Sequence, residues 1–264
     1  MPPRLPQRPP RSFWTWALAG ALSGLVCALL VFAPAHWLAA AVQQASHGRV
    51  LLSDARGTVW SGSAQLSLTG GAGSVDSTTL PSRVQWQIGL RWDRAVASLS
   101  ASCCTPGPLS LELMPRWGGV EVSFMDGQSS WPAALLAGLG TPWNTVQPAG
   151  LLVLSSQGLS VALVQGRILI VGRAQLEARD LSSRLSTLHP LGSYRLTLQG
   201  GASPGLELGT LTGSLQLSGN GRWVGSRLHF EGTASAAADR VEALSNLLNI
   251  IGRRNGAQSI ISLG

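Results

Sequence analysis

The chain has 264 residues, of which 45% are hydrophobic and 12% charged, with a formal net charge of +7. That hydrophobic fraction is ordinary for a packed protein, so the chain is able to bury a core. All its basic residues are Arg, and outside the amino terminus they form only one adjacent pair, Arg253 and Arg254, which argues against nucleic-acid binding because that function needs a basic patch.

Residues 1–12 are Pro-rich and contain Arg4, Arg8 and Arg11 without an acidic residue. Such a composition predicts a disordered segment. Because positive residues stay on the cytoplasmic side of a membrane, the segment is predicted to be a cytoplasmic stub.

Residues 13–33 contain no charged side chain. As a helix with a rise of about 1.5 Å per residue they extend about 31 Å, the thickness of the hydrocarbon core of a bilayer. Trp14 and Trp16 at one end and Trp37 beyond the other match the preference of indoles for the membrane interface. This segment predicts a transmembrane helix, with the rest of the chain outside the cytoplasmic membrane.

A cleaved signal peptide is the alternative, since small residues follow the apolar segment at Ala33 and Ala35 and again at Ala39 and Ala40. Signal peptides have an apolar region of roughly 7 to 15 residues. The segment here is longer and flanked by tryptophans, which favours a retained anchor.

The predicted anchor contains a G-x-x-x-G motif formed by Gly20 and Gly24, with Ala28 four residues further on. Small residues on one face allow two membrane helices to approach closely. The motif predicts packing against another anchor, although Ala- and Gly-rich spans also contain this spacing by chance.

Residues 34–47 are predicted to continue as a helical stalk, and residues 48–264 as an exported β-rich domain. Alternation of apolar and polar residues predicts strands, and Gly- and Pro-rich turns separate them at intervals of about ten residues. The predicted strands are residues 65–68, 84–92, 109–113, 120–124, 151–155, 159–163, 168–178, 193–199, 206–211, 214–218 and 227–231.

Two short helices are predicted, at residues 131–139 with Ser130 as the cap and at residues 236–251. One face of the second helix is apolar and carries Val241, Leu244, Leu247, Leu248 and Ile251. We expect that face to pack on the sheet, the alternative being that it docks into a partner. Residues 259–263 are apolar enough to form a final strand.

The pattern predicts a mainly β fold in which the transmembrane helix precedes a curved or sandwiched antiparallel sheet. Trp86 and Trp92 have the same parity in a predicted strand and should face one side of it. That side is either the main core, which we favour, or the floor of an apolar groove.

Cys103 and Cys104 are adjacent in a compartment that is predicted to be oxidising. They are able to form a vicinal disulfide, to pair with another chain or to remain thiols. A single Cys pair supplies too few ligands for a metal site.

No catalytic constellation is evident. Residues 201–205 match the G-x-S-x-G expression of hydrolases, but Pro204 follows the serine and has no N–H for an oxyanion hole. The four histidines are scattered without metal-binding spacing. We predict neither an enzyme nor a cofactor.

Three motifs of the exported part resemble type II secretion system protein N, also called general secretion pathway protein N. The first is G-T-V-W-S-G, with Gly57, Trp60 and Gly62. The second is L-G-T-P-W-N-T-V at residues 139–146, with Gly140, Pro142 and Asn144. The third is the closing run at residues 244–264.

The resemblance implies a single-pass inner-membrane protein whose amino terminus is cytoplasmic and whose bulk is periplasmic. It implies an accessory role in a machine that exports folded proteins across the outer membrane. The implied partners are other proteins of the inner-membrane platform, with the outer-membrane secretin as a further partner. The family has no catalytic or cofactor residues to carry over.

A looser kinship with AsmA-like proteins implies an alternative, a periplasmic module whose curved sheet binds lipid. An apolar groove that no helix covers would favour lipid as the ligand. A sheet face filled by the terminal helix would favour protein contacts.

Overall fold

The structure, a computed structural model, describes residues 13–224, 227–237 and 239–263. The predicted cytoplasmic stub at residues 1–12 lies outside the described residues. The described helices are α1 (Phe13–Val31), α2 (Ala35–Ala45), a 3₁₀ helix (Ala133–Leu139), α3 (Trp143–Val146) and α4 (Val241–Ile251).

The described strands are β1 (Val50–Gly57), β2 (Ser61–Thr69), β3 (Ser77–Leu90), β4 (Ala95–Ala101), β5 (Leu109–Arg116), β6 (Gly119–Phe124), β7 (Gly127–Pro132), β8 (Ala149–Val164), β9 (Arg167–Ser182), β10 (Gly192–Gln199), β11 (Gly205–Gly213), β12 (Leu215–Val224), β13 (Arg227–Ala236), β14 (Arg253–Asn255) and β15 (Gln258–Leu263).

All fifteen described strands belong to one antiparallel sheet, and most are paired with their neighbours in the sequence. β6 and β7 lie end to end along the same edge of β8: β6 pairs with its second half and β7 with its first half. The prediction of a mainly β fold, with an apolar amino-terminal helix before a large antiparallel sheet, is confirmed.

One face of this sheet can be traced across the strands, because directly paired residues point to the same side. Trp131 on β7, Leu152 on β8, Ala178 on β9 and Tyr194 on β10 form one row. Trp131 also packs against the cluster that contains Val84 on β3. We call the face that carries Val84, Trp131 and Tyr194 the inner face.

The helices cover the inner face in three places. α2 contributes Ala35 to a cluster with Ala64 and Trp86. The 3₁₀ helix contributes Leu135 to a cluster with Leu80 and Val84. α4 contributes Leu244, Leu247 and Leu248 to the largest cluster. The other buried members of that cluster are Leu191, Tyr194, Leu215 and Ala234.

The two predicted strands at residues 151–155 and 159–163 are one strand, β8, with a bulge between Gln157 and Ser160. Gly158 lies in the bulge at a φ of +54°, a left-handed conformation that glycine adopts without a steric penalty. The apolar alternation changes phase there, which is why the sequence pattern suggested two strands.

The helix predicted at residues 131–139 begins later than expected. Trp131 pairs with Leu152 as the end of β7, so Ser130 belongs to a strand and is not a cap. The element is a 3₁₀ helix preceded by Pro132. The helix predicted at residues 236–251 likewise begins at Val241, because Ala236 still pairs with Leu215 in the sheet.

Strands β1, β4, β7 and β14 and the short helix α3 were not predicted. The alternation in β4, A-V-A-S-L-S-A, is carried mainly by Ala and Ser, whose small side chains differ little in hydropathy, and β14 has only three residues. β4 forms because both neighbours, β3 and β5, supply hydrogen-bond partners, whereas β1, β7 and β14 each pair with a single strand, β2, β8 and β15 respectively. The predicted final strand is confirmed as β15, which pairs with β13.

Of the three possibilities for the adjacent cysteines, the structure shows a disulfide between Cys103 and Cys104. Cys104 is buried in the cluster with Leu80 and Val84. Its carbonyl accepts a hydrogen bond of 2.7 Å from the N–H of Ser130 on β7. The pair therefore connects the β4–β5 loop to β7.

The packing of α4 on the sheet can be tested at Leu247, which is 1% exposed. Leu247→Ala is expected to lower the free energy of unfolding by about 3 kcal/mol, because it removes buried apolar contacts and leaves a cavity. Urea unfolding of the purified full chain, followed by circular dichroism, measures the change.

The matched control is Ile250→Ala in the same helix, since Ile250 is 38% exposed. It is expected to cost less than about 1 kcal/mol, because less apolar surface returns to water. Equal losses for the two variants would contradict the assigned packing face.

Candidate functional site

The first family motif forms the joint between α1 and the sheet. The indole N–H of Trp60, in the β1–β2 turn, donates a hydrogen bond of 2.7 Å to the carbonyl of Leu30 in the last turn of α1. The N–H of Val59 donates to the carbonyl of Ala33 at 2.8 Å. Pro34 and Thr58 form an isolated antiparallel bridge. The end of the apolar helix is therefore tied directly to the sheet.

The glycines of the motif allow the close approach that this joint needs. Gly57 has a φ of +88°, a conformation that other residues rarely adopt. A Cβ on Gly62 would lie 2.5 Å from Cζ2 of Trp86 and 2.6 Å from the carbonyl oxygen of Arg56. Trp86 in turn donates its indole N–H to the carbonyl of Val59 at 3.0 Å. Only a glycine leaves room for this indole.

The second family motif fastens the 3₁₀ helix and α3 to the turn between β2 and β3. The side-chain amide of Asn144 donates a hydrogen bond of 2.9 Å to the carboxylate of Asp76 in that turn. Gly140 has a φ of +78°, and a Cβ there would lie 3.3 Å from Cα of Gly70. Pro142 directly precedes α3.

The third family motif contains α4 and the final strands. The predicted apolar face of α4 lies against the sheet: Leu244, Leu247 and Leu248 are buried, while Val241 and Ile251 are half-buried. The hydroxyl of Ser259 on β15 donates to the carbonyl of Leu248 at 2.6 Å. All three motifs therefore lie where a helix meets the sheet.

The small residues of α1 face open space. A Cβ on Gly20 or Gly24 would have no atom within 4 Å among the described residues, and Ala28 is exposed as well. α1 is also the one described helix that is long and apolar enough to cross a membrane, with its span at Trp14–Val31.

Trp86 and Trp92 do not share one environment. Trp86 is 5% exposed and lies in the core, as expected. Trp92 is 98% exposed, and the prediction that it faces the same side as Trp86 is wrong. β3 ends at Leu90, and the next four residues form a turn closed by a hydrogen bond from the N–H of Arg91 to the carbonyl of Arg94.

Part of the inner face has no helix over it. The pairing register places one apolar row across the middle of the sheet, with its members on strands β3 to β9: Leu90, Ala95, Leu113, Val122, Val161 and Ile170. No described helix packs extensively on β4, β5 or β6. Next to this row Phe124 and Leu163 are 37% and 47% exposed. We call this region the open strip.

The opposite face of the sheet is largely polar. Glu177 on β9 accepts hydrogen bonds from Arg179 at 2.7 Å and from Arg195 at 2.8 Å. The hydrogen bonds from these two guanidinium groups hold the pKa of Glu177 below its usual value, and the bond from Arg179 has the larger effect. On the inner face, by contrast, burial raises the pKa of Tyr194, whose hydroxyl donates to the carbonyl of Leu215 at 3.0 Å.

Two residues of interest, Trp117 and Asp54, were missed by reasoning from the sequence. Trp117, in the β5–β6 turn, is 98% exposed and was not singled out from the sequence. Its position between Arg116 and Gly118, in a turn sequence, was the available signal. Asp54 was also missed; it accepts hydrogen bonds from Arg83 that hold β1 against β3.

The described residues of the three motifs and the open strip bring together apolar surfaces and hydrogen bonds to the backbone, and not a set of reactive groups. A family model described as type II secretion system (T2SS), protein N matches residues 48–261. No curated protein and no solved structure matches the chain.

The joint can be tested by Gly62→Ala. The added methyl group would collide with the indole of Trp86 and with a backbone carbonyl, so we expect a loss of about 2 kcal/mol of stability. Thermal unfolding of the purified full chain gives the size of the loss.

Gly89→Ala, on β3, is the matched control, since the nearest atom to its added Cβ is the carbonyl oxygen of Val96 at 4.0 Å. We expect this variant to unfold at the temperature of the parent chain. If Gly62→Ala unfolds there as well, the close approach to Trp86 is not required.

Proposed function

Because the chain belongs to the type II secretion system protein N family, we propose that it is a non-enzymatic accessory component of the type II secretion machine. In this role it is anchored in the inner membrane by α1 and binds other proteins of the inner-membrane platform, with the outer-membrane secretin as a further partner. The observation that carries the proposal is the family match over residues 48–261.

The exposure of α1 supports the anchoring role. From Trp14 to Val31 none of the helix is buried against the rest of the chain, although it carries no charge. Uncharged apolar surface of this length is stable when lipid or another helix surrounds it. The arginines in residues 1–12 support an orientation in which the amino terminus is cytoplasmic and the sheet is periplasmic.

The joint at Trp60 supports a mechanical role for the anchor. α1 ends at Val31, and Leu30 and Ala33 accept hydrogen bonds from the first turn of the sheet. Between the span and β1 the chain forms α2, which itself packs on β1 and β2. The sheet is therefore held close to the membrane, where it is positioned next to the periplasmic parts of other anchored proteins.

The G-x-x-x-G face of α1 is the proposed contact with another anchor. Gly24→Leu is expected to reduce copurification with the other platform proteins several-fold, because a bulky side chain prevents close approach of two helices. Detergent extraction of cell membranes followed by affinity purification and quantitative mass spectrometry measures the copurified proteins.

Ala19→Leu is the matched control for that test. It adds a bulky side chain to the same exposed helix, roughly on the side opposite Gly24 at about 100° per residue. It should leave copurification unchanged. An equal yield of platform proteins with the two variants would count against the Gly20–Gly24 contact.

A second candidate function is lipid binding by the inner face, and the open strip favours it. α2 covers the inner face at β1 and β2, and α4 covers it at β13 to β15. No described helix covers the row from Leu90 to Ile170. An apolar surface without a helix over it is suited to an acyl chain.

Leu163→Asp tests this candidate, because Leu163 lies on the open strip and a carboxylate there opposes apolar ligands. Leu169→Asp is the control, since Leu169 is 55% exposed on the opposite face of the neighbouring strand. If the strip binds lipid, only Leu163→Asp lowers the phospholipid that copurifies per chain in native mass spectrometry. Equal lipid content in both variants would remove this candidate.

A further inference from the structure

The turns at one end of the sheet share a composition that neither the core nor the family motifs explain. We call the end at which the β1–β2 turn meets α1 the junction end. Because the strands are antiparallel and follow one another in sequence, the β3–β4, β5–β6 and β8–β9 turns lie at the same end. The β5–β6 and β8–β9 turns touch: the N–H of Gln165 donates to the carbonyl of Gly118 at 3.1 Å.

The β3–β4 and β5–β6 turns each present an indole to solvent. Trp92 and Trp117 are both 98% exposed, which leaves almost the whole of two large apolar side chains in water. Leu90, at the end of β3, is 67% exposed beside the first of them. Single exposed apolar residues are common on proteins, but these lie on adjacent turns of one edge.

Arginines accompany the indoles on the same turns. Residues 91–94, 116–119 and 164–167 contain four arginines and one aspartate, a formal charge of +3. Arg94 pairs with Asp93 and Glu112, and Arg116 pairs with Glu121. Arg91 and Arg167 are exposed and form no salt bridge with the described residues.

We propose that these turns form a membrane-facing edge that rests on the periplasmic leaflet of the bilayer crossed by α1, with Trp92 and Trp117 inserted at the interface and Arg91 and Arg167 bound to lipid phosphates. Indoles partition to the boundary between headgroups and acyl chains, where the ring is apolar and its N–H stays hydrated. Guanidinium groups bind phosphate oxygens in a bidentate manner.

The position of α1 identifies the bilayer as the partner. Trp60, in the first turn of this same end, is hydrogen-bonded to Leu30 within the span itself. Measured across the strands, neighbouring turns are separated by about 10 Å, two strand spacings, so an inclined sheet brings the second and third turns to the membrane surface as well. The proposal rests on α1 spanning the membrane, as proposed above.

The strand register sets the tilt of the sheet over the membrane. Ser61 pairs with Gln87, so β3 continues three residues beyond the start of β2. Ala95 pairs with Leu113, and β5 again continues three residues further to Arg116. The line through the turns is therefore oblique to the strands, and the strands are inclined to the membrane rather than perpendicular to it.

The test uses the full chain reconstituted in vesicles of phosphatidylethanolamine and phosphatidylglycerol. A photoreactive amino acid replaces Trp92 or Trp117, and adducts are identified by mass spectrometry. The control position is Val75, which is 97% exposed in the β2–β3 turn at the opposite end of the strands. We expect at least about tenfold more lipid adducts from positions 92 and 117 than from position 75.

A fourth position, Leu22 in α1, separates the two proposals. Lipid adducts at position 22, with none above the level of position 75 at positions 92 and 117, overturn the membrane-facing edge and leave the anchor intact. An absence of lipid adducts at position 22 overturns the anchor and, with it, this inference. In cells, adducts at positions 92 and 117 that are proteins rather than lipids overturn the edge in favour of a protein contact.

A second measurement does not depend on the photoreactive residue. In vesicles with brominated acyl chains, which quench indole fluorescence at the interface, the double variant Trp92→Ala with Trp117→Ala should lose quenchable emission. Trp143→Ala is the control, since Trp143 is 40% exposed on α3, away from the junction end. An equal change in the two variants would contradict the insertion of Trp92 and Trp117.

Discussion

The apolar inner face of the single large sheet is the constraint that the other elements satisfy. A sheet with one apolar face is stable only when another layer removes that face from water. Here the cover comes in separate pieces, with α2 at β1 and β2, the 3₁₀ helix at β2, β3 and β8, and α4 at β13 to β15. Each family motif lies beside one of these pieces, so the motifs are explained by the need to hold a helix on the sheet.

The incomplete cover links this constraint to function. On strands β3 to β9 the apolar row crosses the sheet without a described helix over it, which leaves a surface that a partner protein or an acyl chain is able to occupy. The opposite face, with the paired Glu177 and Arg195, is largely polar, although Leu169 and Val171 are exposed there. A secretion component that binds through one face of its sheet is consistent with this distribution.

The joint at Trp60 determines how that surface is presented. An anchor connected through a long linker would let the sheet rotate freely, whereas hydrogen bonds from Trp60 and Val59 to the end of the apolar helix restrict its orientation. The proposed contacts of the exposed Trp92 and Trp117 with the membrane surface lie at the same end of the sheet. Anchor, joint and membrane-facing edge together would fix which way the open strip faces.

The sequence by itself determined the properties that depend on composition and local period: the apolar span of α1, the alternation of strands such as β2, β6 and β10, and the buried face of α4. The family motifs were also recognisable without coordinates. Only the tertiary structure decided the roles that depend on pairing. Strand β4 exists because its neighbours supply hydrogen bonds, and Trp86 is buried because Gly62 on the adjacent strand leaves it room. Trp92, two residues beyond the end of the same strand, has no such neighbour and is exposed. Local pattern records which residues are apolar, but burial depends on what the rest of the chain places against them.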